Sequence, residues 1–278
     1  MRRCAYQGEE GSYSYQAACN YFAGEEVSFI GKRSFKELFL SLQSDEVECA
    51  LIPLENTLAG SIHENYDHLR DTRFYIVGEI LQQIDHCLLS SGEEIEKITR
   101  VLSHQKALEQ CLQLIASHTK MRAEIAYDTA GAAKEIAGLQ DPTIGAIASR
   151  SAAKIYGLNI LKENVQDYPD NYTRFALLSK EACGSDGADK CSLMMVVPHI
   201  VGALANRLQL VKDHGVNLIK IESRPLQQRP FEYIFYLDLL FDRSNACQME
   251  PLIAKLKEHS LQLRVLGFYK GDSHDRTL

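Results

Sequence analysis

The sequence predicts an α/β fold of layered strands and helices, followed by a smaller domain with the ferredoxin-like order βαββαβ. Three observations support this prediction. Strand-like and helix-like segments alternate up to about residue 182, a polar stretch at 183–190 interrupts the pattern, and a different order of elements follows. Alternation of the first kind is typical of α/β layers with a largely parallel sheet.

The first part of the chain contains short apolar runs that indicate strands, separated by segments with helical spacing of apolar residues. Pro53 is expected to end one strand, and Gly157 is expected to cap one helix at its C-terminus. The predicted strands are 49–52, 74–77, 101–102 and 144–148, and the predicted helices are 107–115, 132–137 and 149–156.

Residues 183–190 are predicted to form a linker, because Gly184 and Gly187 stand among polar side chains without apolar periodicity. Six elements are predicted after it. They are a strand at 192–197, a helix at 201–213, strands at 216–221 and 231–241, a helix at 249–259 and a strand at 261–268. Their order is the ferredoxin-like arrangement.

Charge and composition argue against several functional classes. The formal net charge of −7 is a poor match for nucleic acid or a membrane surface. The N-terminus lacks the apolar core of a signal peptide, and no apolar run approaches the ~18 residues of a membrane span. None of the eight cysteines forms a C-x-x-C pair, the spacing of zinc and redox motifs. We therefore expect a cytoplasmic protein with reduced thiols and without a metal site.

A series of polar turns stands at the ends of predicted strands, most of them before a helix. Such turns can bind a small anion through neutral donors and helix N-termini. Each also has a simpler interpretation as a helix cap or as local turn chemistry. The candidate residues are Ser12, Ser14, Glu55, Asn56, Thr57, Gly60, Ser103, Asp128, Thr129, Ala130, Ser149, Asn171, Thr173, Arg174 and Phe175.

Two of these turns carry more specific expectations. Ser103 is predicted to cap the helix that follows it, with Gln110 two turns further along the same side. His104 does not make Ser103 a nucleophile, because adjacent residues rarely pair as nucleophile and base. Thr173 beside Arg174 suits a ligand with a carboxylate, since guanidinium groups grip carboxylates through two hydrogen bonds. The alternative for Thr173 and Arg174 is an exposed strand edge.

Together these motifs resemble the prephenate dehydratase family over nearly the full length of the chain. Residues 8–14 are similar to the family's opening turn, and 52–57 to its P-I-E-N-S segment. Residues 128–133 match a further signature, and 171–175 contain the family's hallmark Thr-Arg-Phe. The segment 103–110 resembles the family's S-H-P-Q helix, with Gln-Lys in place of Pro-Gln.

The resemblance implies a catalytic domain over residues 1–182 with a two-lobed fold like that of periplasmic binding proteins. Lobe 1 would comprise about 1–78 and 158–182, and lobe 2 about 79–157. An ACT regulatory domain would follow over 191–278.

The implied activity is the decarboxylating dehydration of prephenate to phenylpyruvate, without any cofactor. Thr173 would hydrogen-bond the departing hydroxyl and Arg174 would orient a carboxylate, while Glu55, Asn56, Ser103 and Gln110 would position the substrate. Two alternatives stay open. Residues 60–63 and 86–89 are similar in sequence to plant arogenate dehydratases, which suggests that activity as the first alternative. The second is a non-catalytic amino-acid sensor, which would also contain the anion-binding turns.

The resemblance also implies L-phenylalanine as an effector, bound between two subunits of a homodimer or homotetramer. The implied effector residues are Gly202, Ala203, Leu204, Ala205, Asn217, Leu218, Glu222, Ser223, Arg224 and Pro225.

Overall fold

The structure is a computed structural model that describes residues 1–226, 229 and 231–272, with the backbone alone at 243–245. The predicted regulatory domain therefore extends beyond the described residues at 273–278. The strands are β1 (Arg2–Gln7), β2 (Val27–Lys32), β3 (Cys49–Asn56), β4 (Gly60–Ser61), β5 (Tyr75–Gln83), β6 (Cys87–Ser90), β7 (Arg100–Ser103), β8 (Arg122–Ile125), β9 (Ile144–Ala148), β10 (Asn159–Lys162), β11 (Tyr172–Ser179), β12 (Lys190–Val196), β13 (Asn217–Pro225), β14 (Tyr233–Leu240) and β15 (Gln262–Tyr269). The α-helices are α1 (Tyr13–Tyr21), α2 (Phe35–Gln43), α3 (His63–Asp71), α4 (Gln105–Glu109), α5 (Leu112–Ser117), α6 (Thr129–Leu139), α7 (Arg150–Tyr156), α8 (Ala203–Asp213) and α9 (Met249–Glu258). Ile95–Lys97 and Arg243–Gln248 form 3₁₀-helices.

The first sheet has the strand order β2-β1-β3-β11-β5, with β4 paired to β3. β1 runs parallel to both β2 and β3, and the first six residues of β3 are buried, which is typical of a parallel strand covered on both faces. The prediction that Pro53 ends this strand was wrong, because β3 continues to Asn56. A proline removes only one N–H donor, and the hairpin with β4 pairs Glu55 with Ser61 and Asn56 with Gly60.

The second sheet has the order β10-β6-β9-β7-β8. β7 runs parallel to β8 and β9, whereas β6 is antiparallel to β9 and β10. The sheet is therefore mixed: the half formed by β9, β7 and β8 is parallel, as the alternating sequence predicted, and the half formed by β10 and β6 is antiparallel. Ala-rich α6 packs its buried face on this sheet and forms one hydrophobic core with β9 and α7.

The segment after β7 differs from its prediction. Ser103 is the last residue of β7, and His104 is the N-cap of α4, with its Nδ1 accepting the N–H of Lys106 at 3.2 Å. Gln110 is the C-cap of α4 and Ser103 lies in β7, so the two residues do not share a helical face. A second helix, α5, begins at Leu112, whose N–H is bound by the Asp167 carboxylate at 3.0 Å. The predicted single helix is therefore two short ones.

The helix-cap interpretation was confirmed at three of the polar turns and at Gly157. Ser12, Asp128 and Ser149 are N-caps, and each accepts a hydrogen bond from a backbone N–H of the first turn of its helix. Gly157 caps α7 in the left-handed conformation, with a φ of 67°.

The chain forms two compact units, Met1–Ile62 with Leu81–Phe175, and His63–Ile80 with Ala176–Leu278. In the second unit the antiparallel sheet has the order β13-β14-β12-β15, and α8 and α9 share its hydrophobic core. This confirms the ferredoxin-like prediction. β12 begins at Lys190, which is buried, so the end of the predicted linker belongs to the sheet. The exact limits of the predicted domains stay a prediction.

Candidate active site

A chain of side-chain amides begins at Asn56, the last residue of β3. The Oδ1 atom of Asn56 accepts the N–H groups of Leu58 at 3.0 Å and Ala59 at 2.8 Å. This short turn after the strand fixes the amide, so that Nδ2 faces β11. There three acceptors share its two N–H groups: Asn171 Oδ1 at 2.7 Å, the carbonyl of Tyr172 at 3.0 Å and Thr173 Oγ1 at 3.0 Å. Asn56 therefore ties two predicted site residues together.

The chain of amides continues across the first unit. Asn171 has no exposed surface, and its Nδ2 donates to Gln110 Oε1 at 3.0 Å. The same oxygen lies 3.1 Å from His86 Nε2, and His86 Nδ1 lies 2.9 Å from the Tyr13 hydroxyl. We call Tyr13, His86, Gln110, Asn171, Asn56 and Thr173 the amide chain.

The amide chain carries no net charge near neutral pH. Burial lowers the pKa of His86 to about 4, and the hydrogen bond with Gln110 opposes this effect only in part. Burial also holds the pKa of the Tyr13 phenol well above its usual value. The site therefore presents neutral donors and acceptors at Thr173, of the kind that orient a ligand by hydrogen bonds.

Arg174 and Glu55 form a second pair, with 2.7 Å between Nε and Oε1. Successive side chains on a strand point to opposite faces, so Arg174 leaves β11 on the face opposite to Thr173, and Glu55 leaves β3 opposite to Asn56. The Arg174 side chain is only 4% exposed. A direct contact of Arg174 with a substrate carboxylate stays a prediction, and it would require the guanidinium to be shared with Glu55.

The loop after β3 is fastened to the segment before β11. The Thr57 hydroxyl donates to the carbonyl of Asp170 and accepts the N–H of Tyr172, both at 3.0 Å. Gly60 has a φ of 78°, a conformation that favours glycine, and it turns the chain back into β4. The structure thus brings Asn56, Thr57, Asn171 and Thr173 together as predicted neighbours, with Gly60 shaping their loop.

The remaining predicted residues lie elsewhere in the first unit. The Ser103 hydroxyl donates to the carbonyl of Ile147 at 2.5 Å and has no exposed surface, which ties it to the neighbouring strand. Ser14 is buried within α1, and Phe175 is buried in β11. Thr129 and Ala130 open α6.

The opening turn at residues 8–11 is held by caps of two helices. The Asp128 carboxylate accepts the N–H of Glu9 at 3.2 Å, and the Ser149 hydroxyl donates to the carbonyl of Gly11 at 2.6 Å. Gly11 has a φ of 85°, and a Cβ there would lie 2.8 Å from the Cα of Ala152. Asp128, Ser149 and Gly11 therefore fix the position of Ser12 at the start of α1.

Sequence reasoning assigned no role to His86 or Tyr13. His86 lies in a segment that was compared with plant enzymes, and Tyr13 lies in the opening turn. The available signal was a histidine directly before the buried strand β6. Among the described residues, no three His, Cys, Asp or Glu side chains are grouped so that they could hold a metal ion. No helix in the same part of the chain has the length and apolar character to cross a membrane.

A family model described as prephenate dehydratase matches residues 4–183. The chain belongs to the prephenate dehydratase family. Arogenate dehydratase 2 of Petunia hybrida is 41% identical over 98% of this chain and 72% of its own length. These findings confirm the family and the enzyme class, a dehydratase, that the motifs predicted.

Solved structures agree with the predicted fold class. The prephenate dehydratase of Arthrobacter aurescens in complex with L-Phe has a TM-score of 0.85 and 27% identity, over 96% of this chain and 89% of its own. A protein described as a novel type of quorum quenching acylase has a TM-score of 0.87 and 28% identity, over 98% of this chain and 99% of its own.

Proposed function

We propose that this member of the prephenate dehydratase family converts prephenate into phenylpyruvate, water and carbon dioxide. The observation that carries the proposal is the amide chain that ends on Thr173. Because Asn56 donates an N–H to Thr173 Oγ1, the hydroxyl proton of Thr173 can be directed to a ligand. A departing ring hydroxyl is stabilised by one hydrogen-bond donor that points at its oxygen.

In this reaction the ring C–O bond and the bond to the ring carboxylate both break. The carboxylate leaves as carbon dioxide, its bonding electrons complete the aromatic ring, and the hydroxide takes a proton to become water. Thr173 is a weak acid, so it stabilises the departing oxygen with a hydrogen bond instead of transferring its own proton. The neutral amides of Asn56, Asn171 and Gln110 preserve this orientation without reorganisation.

Glu55 and Arg174 support the same site from the other face of the sheet. Their ion pair joins the ends of β3 and β11, the two strands that carry Asn56 and Thr173. We propose that the pair fixes the spacing of these strands. A contact of Arg174 with a substrate carboxylate would require its guanidinium to be shared with Glu55.

Parallel turnover assays on prephenate and arogenate test the proposed function. We expect phenylpyruvate from prephenate at a higher kcat/KM than phenylalanine from arogenate. The reverse ratio would identify an arogenate dehydratase, the activity named for the Petunia relative. Turnover of neither substrate by the folded protein would contradict the proposal and would favour the sensor. An acylase assay belongs in the same series because of the structural likeness to an acylase.

We further propose that L-phenylalanine binds to the second unit as an effector. A cavity of about 660 Å³ in this unit is lined mainly by apolar side chains, among them Leu204, Tyr233 and Phe235. Gly202, with a φ of 77°, and Ala203 form the start of α8 beside it, where backbone N–H groups can bind a carboxylate. The ligand named for the Arthrobacter aurescens structure supports the proposal.

The other implied effector residues lie on β13 or further along α8. Asn217, Ser223 and Pro225 are exposed, and Leu218 is half-buried against the core. Glu222 and Arg224 instead face α3 in the same unit. Ala205 lies in the first turn of α8.

We propose that the protein forms at least a dimer through its second unit. Ile200, Val201 and Phe231 are exposed by 69%, 103% and 83%, and a second copy would cover such apolar side chains. We also propose a cytoplasmic location, which the eight free thiols support.

A further inference from the structure

The amide chain has a fixed donor direction, which can be followed from its Asn56 end. Asn56 Oδ1 already accepts two backbone N–H groups, so Asn56 cannot exchange its oxygen and nitrogen. Its Nδ2 therefore donates to Asn171 Oδ1, and the nitrogen of Asn171 must donate onward to Gln110 Oε1. Reversing either Asn171 or Gln110 alone would place two donors or two acceptors against each other.

The same logic determines the tautomer of His86. Gln110 Oε1 is an acceptor, so His86 Nε2, 3.1 Å away, must carry the proton. A neutral imidazole has one N–H, which leaves Nδ1 as an acceptor for the Tyr13 hydroxyl at 2.9 Å. The carbonyl of Asp85 lies 2.8 Å from the same hydroxyl and is its competing acceptor. If Tyr13 donated there, Nδ1 would need the proton, and the lone pair of Nε2 would then face Gln110 Oε1.

We infer that His86 and Tyr13 are positioning residues that orient the Thr173 hydroxyl through Gln110, Asn171 and Asn56. This inference rests on the proposed function for its effect on catalysis. His86 is 2% exposed and Asn171 has no exposed surface, so burial strengthens the hydrogen bonds of these two side chains. His86 and Tyr13 lie at the opposite end of the amide chain from Thr173, and they are 87 and 160 residues from it in sequence. Their side-chain hydrogen bonds are with each other and with Gln110 and Asp85, not with Thr173 Oγ1.

The kinetic test compares variants that remove or keep the donor at His86. His86→Phe should lower kcat at least fivefold with KM changed less than twofold, whereas His86→Gln, which keeps an N–H near the position of Nε2, should stay within twofold of wild type. In a Thr173→Ala background, His86→Phe should cost less than twofold, because its effect acts through the missing hydroxyl. An equal loss in both backgrounds would overturn the inference.

A measurement independent of turnover uses the ¹⁵N shifts of the His86 ring in the full chain. We expect the Nε2–H tautomer in wild type and also in Tyr13→Phe, because Gln110 Oε1 still requires an N–H from Nε2. This measurement also covers the case in which His86→Phe does not fold. A wild-type Nδ1–H tautomer would contradict the donor direction. The proposed function is tested separately, because it fails if the wild-type protein turns over no prephenate. The tautomer of His86 would still decide the donor direction of the amide chain in that case.

Discussion

Thr173 receives an N–H from Asn56 on its oxygen, and the side chain is almost entirely buried. One of the two oxygen lone pairs accepts the N–H of Asn56, which disfavours rotamers that point the hydroxyl proton back toward Asn56. The proton is the group that can donate to a departing oxygen. The contribution of Thr173 to the reaction therefore depends on the hydroxyl, and the methyl group serves only to fill space.

Thr173→Ala should lower kcat on prephenate at least tenfold, about 1.4 kcal/mol of barrier, because it removes the donor to the departing hydroxyl. Thr173→Ser keeps that donor and should retain more activity than Thr173→Ala. Steady-state kinetics and thermal melts of each variant provide the measurement. Thr99→Ala, an exposed threonine on the same unit, is the matched control. Wild-type turnover in folded Thr173→Ala would rule out the role.

His86 should make folding depend on pH. Its folded pKa of about 4 lies below the usual value of 6.5, so the unfolded chain binds a proton first as the pH falls. The free energy of unfolding should therefore decrease by about 2 kcal/mol between pH 7 and pH 5 because of this residue. Urea unfolding at both pH values should show a smaller decrease for His86→Gln. An identical decrease in wild type and variant would place the pH dependence on other groups.

The sequence identified the candidate site residues that lie in polar turns, and it missed those that only tertiary contacts connect to the site. Asn56, Gln110, Asn171 and Thr173 were named from motifs, and they meet in the structure. His86 could not be found in this way, because a lone histidine before an apolar strand is compatible with many environments. Its partner in the network is 24 residues away, and no local spacing encodes that contact.

At the scale of elements, β13 and α3 are connected by charges within the second unit. Arg224 Nη2 lies 2.7 Å from Asp67 Oδ2, and Glu222 Oε1 lies 3.3 Å from His63 Nε2. Lys220 lies over the Tyr66 ring, 5.9 Å from its centroid. In sequence, α3 follows the hairpin of β3 and β4, which carries Asn56 and Thr57. The implied effector segment on β13 therefore contacts a helix that is covalently joined to this hairpin.

The double variant Glu222→Ala, Ser223→Ala should respond more weakly to phenylalanine than wild type. It removes the pair with His63 and alters the exposed side of β13, so part of the coupling, typically ~1–3 kcal/mol, should be lost. Phenylalanine titrations of activity, with binding followed by calorimetry, provide the measurement. Gln209→Ala, on the exposed face of α8, is the control. Equal sensitivity of wild type and double variant would refute the assigned site.

Element boundaries were predicted well where a cap or a buried run marks them. β9 was predicted at its observed bounds, Ile144–Ala148, because all five residues are buried and the run is apolar. The split between α4 and α5 was missed, because Asp167, which binds the first N–H groups of α5, lies 55 residues away from Leu112. A helix interruption caused by such a distant carboxylate leaves no mark in the local periodicity.

At the scale of the molecule, a buried ion pair joins distant parts of the chain. Lys190 Nζ lies 2.8 Å from both carboxylate oxygens of Glu79, and the two side chains are 1% and 0% exposed. Both residues belong to the second unit, although 111 positions separate them. Such a pair contributes little over an apolar pair of the same shape, but the loss of one partner is costly.

Lys190→Met should lower the free energy of unfolding by about 3–5 kcal/mol, because Glu79 stays buried without its counter-charge. Urea unfolding monitored by circular dichroism measures the effect. The double variant Glu79→Leu, Lys190→Met should recover most of the loss, and Lys212→Met on the exposed side of α8 should be near neutral. A loss below 1 kcal/mol in Lys190→Met would contradict the prediction.

The change in element order near residue 183 is visible in the sequence, but the grouping of residues 63–80 with the second unit is not. α3 and the start of β5 precede the predicted boundary by more than 100 residues, and they nevertheless group with the ferredoxin-like part. The decisive contacts are tertiary, such as the Tyr236 hydroxyl donating to the carbonyl of Tyr66 at 2.7 Å. Local sequence patterns predict helices and strands, whereas this grouping depends on the tertiary contacts between them.

The packing of residues 63–80 limits how the C-terminal part of the chain could be replaced by that of a related protein. Arg264 donates to the carbonyls of Leu69 and Thr72, and a Cβ at Gly267 would overlap the carbonyl of Ile76. A chain cut after residue 183, where the family match ends, would therefore expose Leu69 and Ile76, which are buried here. The second unit therefore does not begin at residues 183–190, because residues 63–80 also belong to it. A transplant from one relative into another would have to carry α3 and the first half of β5 with it.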